Sequence, residues 1–441
     1  MLRPFLLVAV AALLWTGGAS AGTFTKSDST LTADDGTALA QTTYIPDGSA
    51  PAGGFPGVVV LHGLDNDRGT VSPISETFAA AGYAVLAYDA RGHGVSGGQI
   101  TLAGPREIAD LREVRDAFAA RTDVSDTQIG AWGMSYGGGE IWNALARKVP
   151  FAAVEVVETW TDLFSAFFPQ NLAKSGIVYG FTKPIDARSP LVSGFEDDAA
   201  HSRNLAPIRP LLAERSVLQL GGLSTRVPVY MFQGRVDWAF DIAQASDAYR
   251  RLQGPKKLYV GDFGHTPSTF PGPDVGYVLS QGTAWFDRYL KGMPNGIDKA
   301  PPVAVAKERW DGKPASFAGL PPTRTVTVPV GPALKAPLEI FGGGSLTVRV
   351  TKLHAYARLV AVVTAGGKEL THGAVVPWLG TNTIRLANYA VFAPKGARIY
   401  VRLGADGGPG DIAYLGFGDS GSIALGKPTL RLSVLRTPIS G

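Results

Sequence analysis

Residues 129–138 read Ile129-Gly130-Ala131-Trp132-Gly133-Met134-Ser135-Tyr136-Gly137-Gly138. The apolar run Ile129 to Trp132 leads into a G-x-S-x-G pentad, and a stretch with helical spacing, Gly138 to Arg147, follows. Strand, sharp turn and helix form the context in which that pentad carries chemistry. Glycine flanks the serine because a side chain in so tight a turn would strike the neighbouring strand or helix. The turn lifts the Ser135 hydroxyl to the carboxyl edge of a sheet. It also aims backbone N–H groups at the start of the helix toward whatever Ser135 attacks. Ser135 is the expected nucleophile, and the Tyr136 N–H the expected first oxyanion donor.

Outward from this pentad, about Thr23 to Lys291 alternates apolar runs with helical stretches. Val58–Leu61, Ala84–Ala87, Ala153–Val157, Val229–Phe232 and Leu258–Val260 read as strands. Their nearly continuous apolar character suits a parallel sheet covered on both faces. Ile74–Ala81, Glu107–Arg121 and Ile242–Leu252 have helical spacing. The alternation predicts a doubly wound α/β domain, and with the pentad an α/β-hydrolase fold. Trp160 to Leu223 breaks the rhythm and reads as an inserted helical cap. Its Phe164, Phe167, Phe168 and Tyr179 either line a cleft or pack the cap against the body, and packing is the commoner use of such rings.

A serine hydroxyl needs a base, and the base an orienting acid, in the chain order Ser, Asp or Glu, His. Of six histidines only His265 lies just past the last strand of the alternating region; His62 and His93 precede the serine, His201 is in the cap, and His354 and His372 are in the β tail. It is the expected base. Asp237, just past Val229–Phe232, is the expected acid, with Asp241 and Asp262 as competitors. The second oxyanion N–H is expected from Leu64, in the turn Leu61-His62-Gly63-Leu64 after the first parallel strand, where Gly63 makes room. The Gly-rich run Asp89 to Gly98 has neither G-K-[ST] nor G-x-G-x-x-G, so it is not a phosphate loop. Asp89 and Arg91 are expected to pin loops beside the elbow. No cluster has metal-ligand spacing, so no metal and no cofactor are expected.

Beyond Gly292-Met293-Pro294-Asn295-Gly296 the texture changes. Thr325–Val330, Leu346–Val350, Ala357–Val363, Thr383–Leu386, Arg398–Leu403 and Thr429–Val434 are short strands separated by Gly- and Pro-rich turns. That pattern predicts a β-sandwich.

The 441 residues are 18% charged and 45% hydrophobic, a globular composition, and the net charge of +4 is scattered rather than gathered into basic runs. Nucleic-acid binding is not expected. Arg3, the apolar run Phe5 to Trp15 and Ala19-Ser20-Ala21 read as a secretory signal peptide cleaved near Ala21-Gly22, too short to span a bilayer. The mature chain is expected to be secreted or periplasmic, without a stable membrane anchor. No cysteine is present, so disulfides, thiol nucleophiles and acyl-cysteine anchors are excluded, which suits a bacterial export route.

These motifs resemble the X-prolyl dipeptidyl-peptidase and cocaine-esterase (CocE/NonD-like) family of α/β-hydrolases. The resemblance rests on Asp35-Gly36-Thr37-Ala38-Leu39 with Tyr44-Ile45-Pro46, on Asp89 to Gly98, and on Trp132 to Gly138. It also rests on Trp285 to Gly292 followed by Asn295-Gly296-Ile297-Asp298 and Pro301-Pro302-Val303. It implies ester or amide hydrolysis through Ser135, His265 and Asp237, a helical cap, no cofactor, and a C-terminal jelly-roll-like β-sandwich. The chain departs from the family after the first parallel strand, where His62-Gly63-Leu64-Asp65-Asn66 lacks the tyrosine that often donates to the oxyanion.

The expected organisation is a signal peptide over 1–21, a catalytic domain over 22–159 and 224–296, a cap over 160–223 and the β-sandwich over 297–441. The expected partner is a small-molecule or peptide acyl substrate. A carboxylic-ester or acyl hydrolase leads. An X-prolyl dipeptidyl peptidase is the alternative, and it needs an acid to hold a free amine, for which Glu158 and Glu196 to Asp198 are candidates. The alternative of another class is a binding protein with a vestigial triad. The oligomeric state is not legible.

Overall fold

The computed structural model describes residues 22–417 and 421–440. The signal peptide expected over 1–21 lies outside the described residues. No described helix is long and apolar enough to cross a membrane.

One ten-stranded sheet organises the first three quarters of the chain. Its strands are β1 (Phe24–Thr32), β2 (Ala38–Pro46), β3 (Phe55–Leu61), β4 (Ala84–Tyr88), β5 (Val124–Met134), β6 (Val154–Val157), β7 (Val229–Gly234), β8 (Lys256–Gly261), β9 (Val303–Val305) and β10 (Ala315–Phe317). They lie in the order β1-β2-β4-β3-β5-β6-β7-β8-β9-β10. From β4 to β9 all pairings are parallel, and β1, β2 and β10 run antiparallel at the edges. The boundary expected at 296–297 falls inside the sequence of this sheet, since β9 and β10 complete its far edge.

Alternate residues of each central strand enter different cores. Val59 and Leu61 of β3 share one core with Leu111 of α2 (Pro105–Ala119), Ile141 of α3 (Tyr136–Ala146) and Ala245 of α9 (Ile242–Arg251). Val58 and Val60 meet α1 (Ser72–Ala80) and α10 (Val275–Tyr289) through Phe78 and Phe286 on the other face. Two covered faces explain why these strands read as apolar runs rather than alternating ones. The chain leaves β3 toward β4 and β5 leaves on the opposite side, so the carboxyl ends of β3 and β5 form a switch point. Open α/β sheets bind ligands in such a crevice.

Between β6 and β7 lie five short helices: α4 (Leu163–Phe167), α5 (Ser175–Thr182), α6 (Pro190–Ser193), α7 (Glu196–Ala200) and α8 (Leu205–Ala213). Of the cap aromatics, Phe167 is core, ring to ring with Phe181 at 4.9 Å. Phe164 and Phe168 stack and face a cavity of about 840 Å³ shared with the C-terminal strands, and Tyr179 is exposed.

The C-terminal region is antiparallel and β-rich. A five-stranded sheet joins β11 (Thr323–Val328), β12 (Leu338–His354), β15 (Gly380–Ala393), β17 (Ser422–Leu425) and β18 (Thr429–Leu435). A three-stranded sheet joins β13 (Leu359–Ala365), β14 (Lys368–Val375) and β16 (Ile399–Gly404). Their inner faces share one core with the cap, in which Leu346, Val360 and Ile384 sit with Phe167.

Arg235, just past β7, fastens this region to the large sheet. Its buried guanidinium donates to the Ala390 carbonyl at 2.9 Å, to the Ala306 carbonyl and to Glu308 at 2.9 Å, and lies 3.6 Å from buried Glu339. Removing one partner of such a pair strands the others without compensation. Arg235→Ala is expected to cost about 3 kcal/mol or more, read by chemical denaturation, and Arg235→Lys is expected to recover only part because it lacks the planar fork.

Candidate active site

The sharp turn after β5 exists because three backbones close around it. Ser135 takes φ +53°, a left-handed conformation that costs a non-glycine residue about 1–2 kcal/mol. Its N–H donates to Val157 O at 2.8 Å, and its carbonyl accepts from Thr159 Oγ1 at 2.7 Å. Gly137 donates to His62 O at 3.0 Å. A Cβ on Gly133 would sit 2.5 Å from the Gly137 carbonyl oxygen, and one on Gly137 would sit 2.6 Å from Leu61 Cβ and Leu61 O. Both glycines are thus required by close approach, as the pentad implied.

Three side chains form a line at the carboxyl edge. His265 Nε2 is 2.9 Å from Ser135 Oγ, and His265 Nδ1 is 2.7 Å from Asp237 Oδ2. Asp237 is wholly buried on the loop after β7, and its Oδ1 accepts the N–H groups of Ala239 and Phe240, each at 2.8 Å. His265 lies past β8 with its side chain 29% exposed, while Ser135 is 8% exposed. The site is reached from the histidine side. Burial opposes charge on His265, but the Asp237 carboxylate, its hydrogen bond and Glu158 outweigh it and hold the imidazole up at about 9.

The competing acids are engaged elsewhere. Asp241 caps α9 through Ala243 N–H at 3.0 Å and accepts from Asn388 N–H at 2.8 Å. Asp262 has its carboxyl group near Arg235 and Lys368, and its N–H donates to Asp274 at 2.7 Å. The turn expected to supply Leu64 does run beside the serine, since a Cβ on Gly63 would lie 3.7 Å from Ser135 Cβ. Asp65 of that turn is held by Lys183 and Arg188 of the cap, each at 2.8 Å. Tyr136 starts α3, so its N–H is one of the first-turn donors with no partner in the helix. Its hydroxyl donates to buried Glu107 at 2.7 Å, which locks the ring.

The loop Asp89 to Gly98 pins its surroundings. Arg91 grips Asp110 with two bonds of 2.7 and 2.8 Å, and Asp89 accepts from Arg68 N–H at 2.7 Å and Val95 N–H at 3.0 Å. Buried His62 accepts the Ala90 N–H at Nε2, 3.0 Å, so Nδ1 carries the proton toward Gly63 O.

Two groups of acid and histidine side chains among the described residues converge closely enough to hold a cation. One is Glu158, Asp237 and His265, where the 2.7 Å contact is a hydrogen bond rather than a ligand–ligand spacing. The other, Glu369, His372 and Asp411, lies in the β-rich region. There Glu369 accepts from Trp238 Nε1 at 3.0 Å, and the Tyr389 hydroxyl meets His372 Nε2 at 3.2 Å. The sequence offered Glu158 only as an amine anchor. The structure instead sets its Oε2 3.5 Å from His265 Nδ1 and buries it.

Fold and side-chain arrangement together define the class: an α/β-hydrolase fold bearing the constellation of a serine hydrolase. Residues 35–182 match the family described as X-Pro dipeptidyl-peptidase (S15 family), which bears out the resemblance read from the motifs. The quorum-quenching protein AidA of Acinetobacter baumannii is 34% identical over 124 residues, 26% of this chain and 39% of that protein. The chain thus spans about two fifths of the length of the curated relatives it matches. A CocE/NonD family hydrolase from Staphylococcus aureus superposes with a TM-score of 0.67 at 16% identity, covering 93% of this chain and 92% of that one. An α-amino acid ester hydrolase gives 0.63 at 14% identity, covering 99% and 98%. Likeness at that identity is likeness of fold.

Gly137→Ala is expected to destabilise by about 1–3 kcal/mol, because the added methyl meets backbone that cannot retreat. A thermal melt against wild type measures it.

Proposed function

We propose that the chain is an exported serine acyl hydrolase with Ser135 as nucleophile, His265 as general base and Asp237 as orienting acid. One observation carries this reading: an unbroken line of 2.9 and 2.7 Å contacts that ends on a serine in a strained, glycine-flanked turn. In this reading Ser135 Oγ attacks the carbonyl carbon and its proton passes to His265 Nε2. Asp237 holds the tautomer and stabilises the imidazolium. The N–H groups of Tyr136 and Leu64 receive the oxyanion. The imidazolium protonates the leaving group, and a water activated by the same histidine releases the acyl group.

Esters are the favoured substrates. An X-prolyl dipeptidyl peptidase needs a carboxylate free to hold an amine. Glu158 is turned to the Nδ1 edge of His265, away from Ser135, and Asp197 and Asp198 pair with Arg203 on the cap. The family match favours the peptidase as the second reading. Its test is direct comparison of a chromogenic ester with an X-Pro anilide. Cleavage of the anilide alone would replace the ester reading.

A fluorophosphonate probe is expected to label wild type and neither Ser135→Ala nor His265→Ala. Absence of label on folded wild type would remove the hydrolase reading and leave a binding protein. The pH dependence follows from His265. A base acts only when neutral, and its partners raise its affinity for a proton. The acid limb of kcat/KM is therefore expected above pH 6.5, the ordinary histidine value, with activity lost as pH falls through it.

A further inference from the structure

Glu158 is a buried carboxyl group at the triad histidine that the mechanism above does not use. It follows β6, the strand next to the one that delivers Asp237, and its N–H donates to Phe232 O at 2.8 Å. Its backbone is left-handed, φ +48°, like that of Ser135. Its side chain is 3% exposed, Oε2 lies 3.5 Å from His265 Nδ1, and Oε1 has no hydrogen-bond partner. A strained backbone and a buried carboxyl oxygen left without a donor are both costs, and an apolar residue would avoid the second. Both are spent on one result, a carboxyl group at the same imidazole nitrogen that Asp237 holds.

We propose that Glu158 is a second positioning acid for His265, sharing Nδ1 with Asp237 and able to replace it. The proposal rests on the triad reading above. Asp237 has the better position in wild type, at 2.7 Å with two backbone donors behind it. Glu158 needs to close less than one ångström to make the same bond. Burial chiefly, then Asp237 and Asp274, push its carboxyl up to about 8, against the opposing pull of His265. The charged and titratable groups facing this pair are Asp237 on the β7 loop and Asp274 at the start of α10, with Ser135 on the far side of the imidazole.

The test uses full-length protein and four variants: Asp237→Ala, Glu158→Gln, the double variant and Glu158→Asp. Circular dichroism and thermal melts establish that each is folded. Asp237→Ala is expected to keep at least about tenfold more kcat on an activated ester than the double variant, within the roughly 10⁴-fold worth of an orienting acid. Its remaining activity is expected to rise with pH as Glu158 ionises. Glu158→Gln alone is expected to move the acid limb of kcat/KM to lower pH, because the charge Glu158 gains as it ionises, at about 8, no longer supports the imidazolium, and Glu158→Asp to restore it in part. Equal kcat in Asp237→Ala and the double variant, with an unmoved acid limb in Glu158→Gln, overturns the proposal. If that result comes with fluorophosphonate labelling of wild type intact, the triad reading stands and only the role of Glu158 falls. If wild type is not labelled, the triad reading itself has failed.

Discussion

The turn between β5 and α3 exists only because the backbones at the ends of β3 and β6 press against it. Gly137 touches Leu61 and His62 on one side, and Ser135 N–H is tied to Val157 on the other. Those same neighbours carry the rest of the site. The end of β3 continues into the turn of Gly63 and Leu64, and the end of β6 into Glu158. A left-handed serine is held by parts that are needed at the serine anyway. This is why the switch point between β3 and β5 fixes more than a crevice. It fixes the distances among Ser135, the turn of Gly63 and Leu64, and the nearby carboxyl group.

The loop of Asp237 is held from outside the large sheet. Arg235 bonds to the Ala390 carbonyl, whose own N–H returns to Arg235 O at 2.9 Å; Trp238 donates to Glu369; Asp241 accepts from Asn388. Three contacts within seven residues join the acid's loop to β14 and β15. The turn of Gly63 and Leu64 is held in the same manner by the cap, through Asp65 with Lys183 and Arg188. The catalytic sheet therefore supplies the ends of strands, while the cap and the β-rich region each steady one loop of the site.

Much of this was legible because the signals are local. The pentad, the runs of Val58 to Leu61 and Val229 to Phe232, and the order of Ser135, Asp237 and His265 depend on neighbours in sequence and on chain order. What stayed hidden depends on tertiary placement. β1, with the polar run Phe24 to Thr32, is a largely exposed edge strand paired with β2, so it lacks the apolar signal of a central strand. The 840 Å³ cavity gathers Phe164 and Phe168 with Trp378 and Arg385, some two hundred residues away. The sequence offered Glu158 only as a candidate anchor for an amine and could not place its side chain. A residue's strand end can be read from pattern, but the direction of its side chain is set by a positive φ that no pattern announced.

Charge beside His265 follows from how donors are distributed. Asp237 and Glu158 stand at one imidazole, with Asp274 beside Glu158, and like charges so close in a dry site cannot all be carried. Asp237 has Ala239, Phe240 and His265 as donors, and Asp274 has the Tyr259 hydroxyl and the Asp262 N–H. Glu158 has only the edge of the histidine, at 3.5 Å. The negative charge is best accommodated where the donors are, on Asp237. The proton is best left on Glu158, whose carboxyl is held above its ordinary range chiefly by burial, then by Asp237 and Asp274. The site thus separates two carboxyl groups at one nitrogen by their hydrogen bonds rather than by their distance from it.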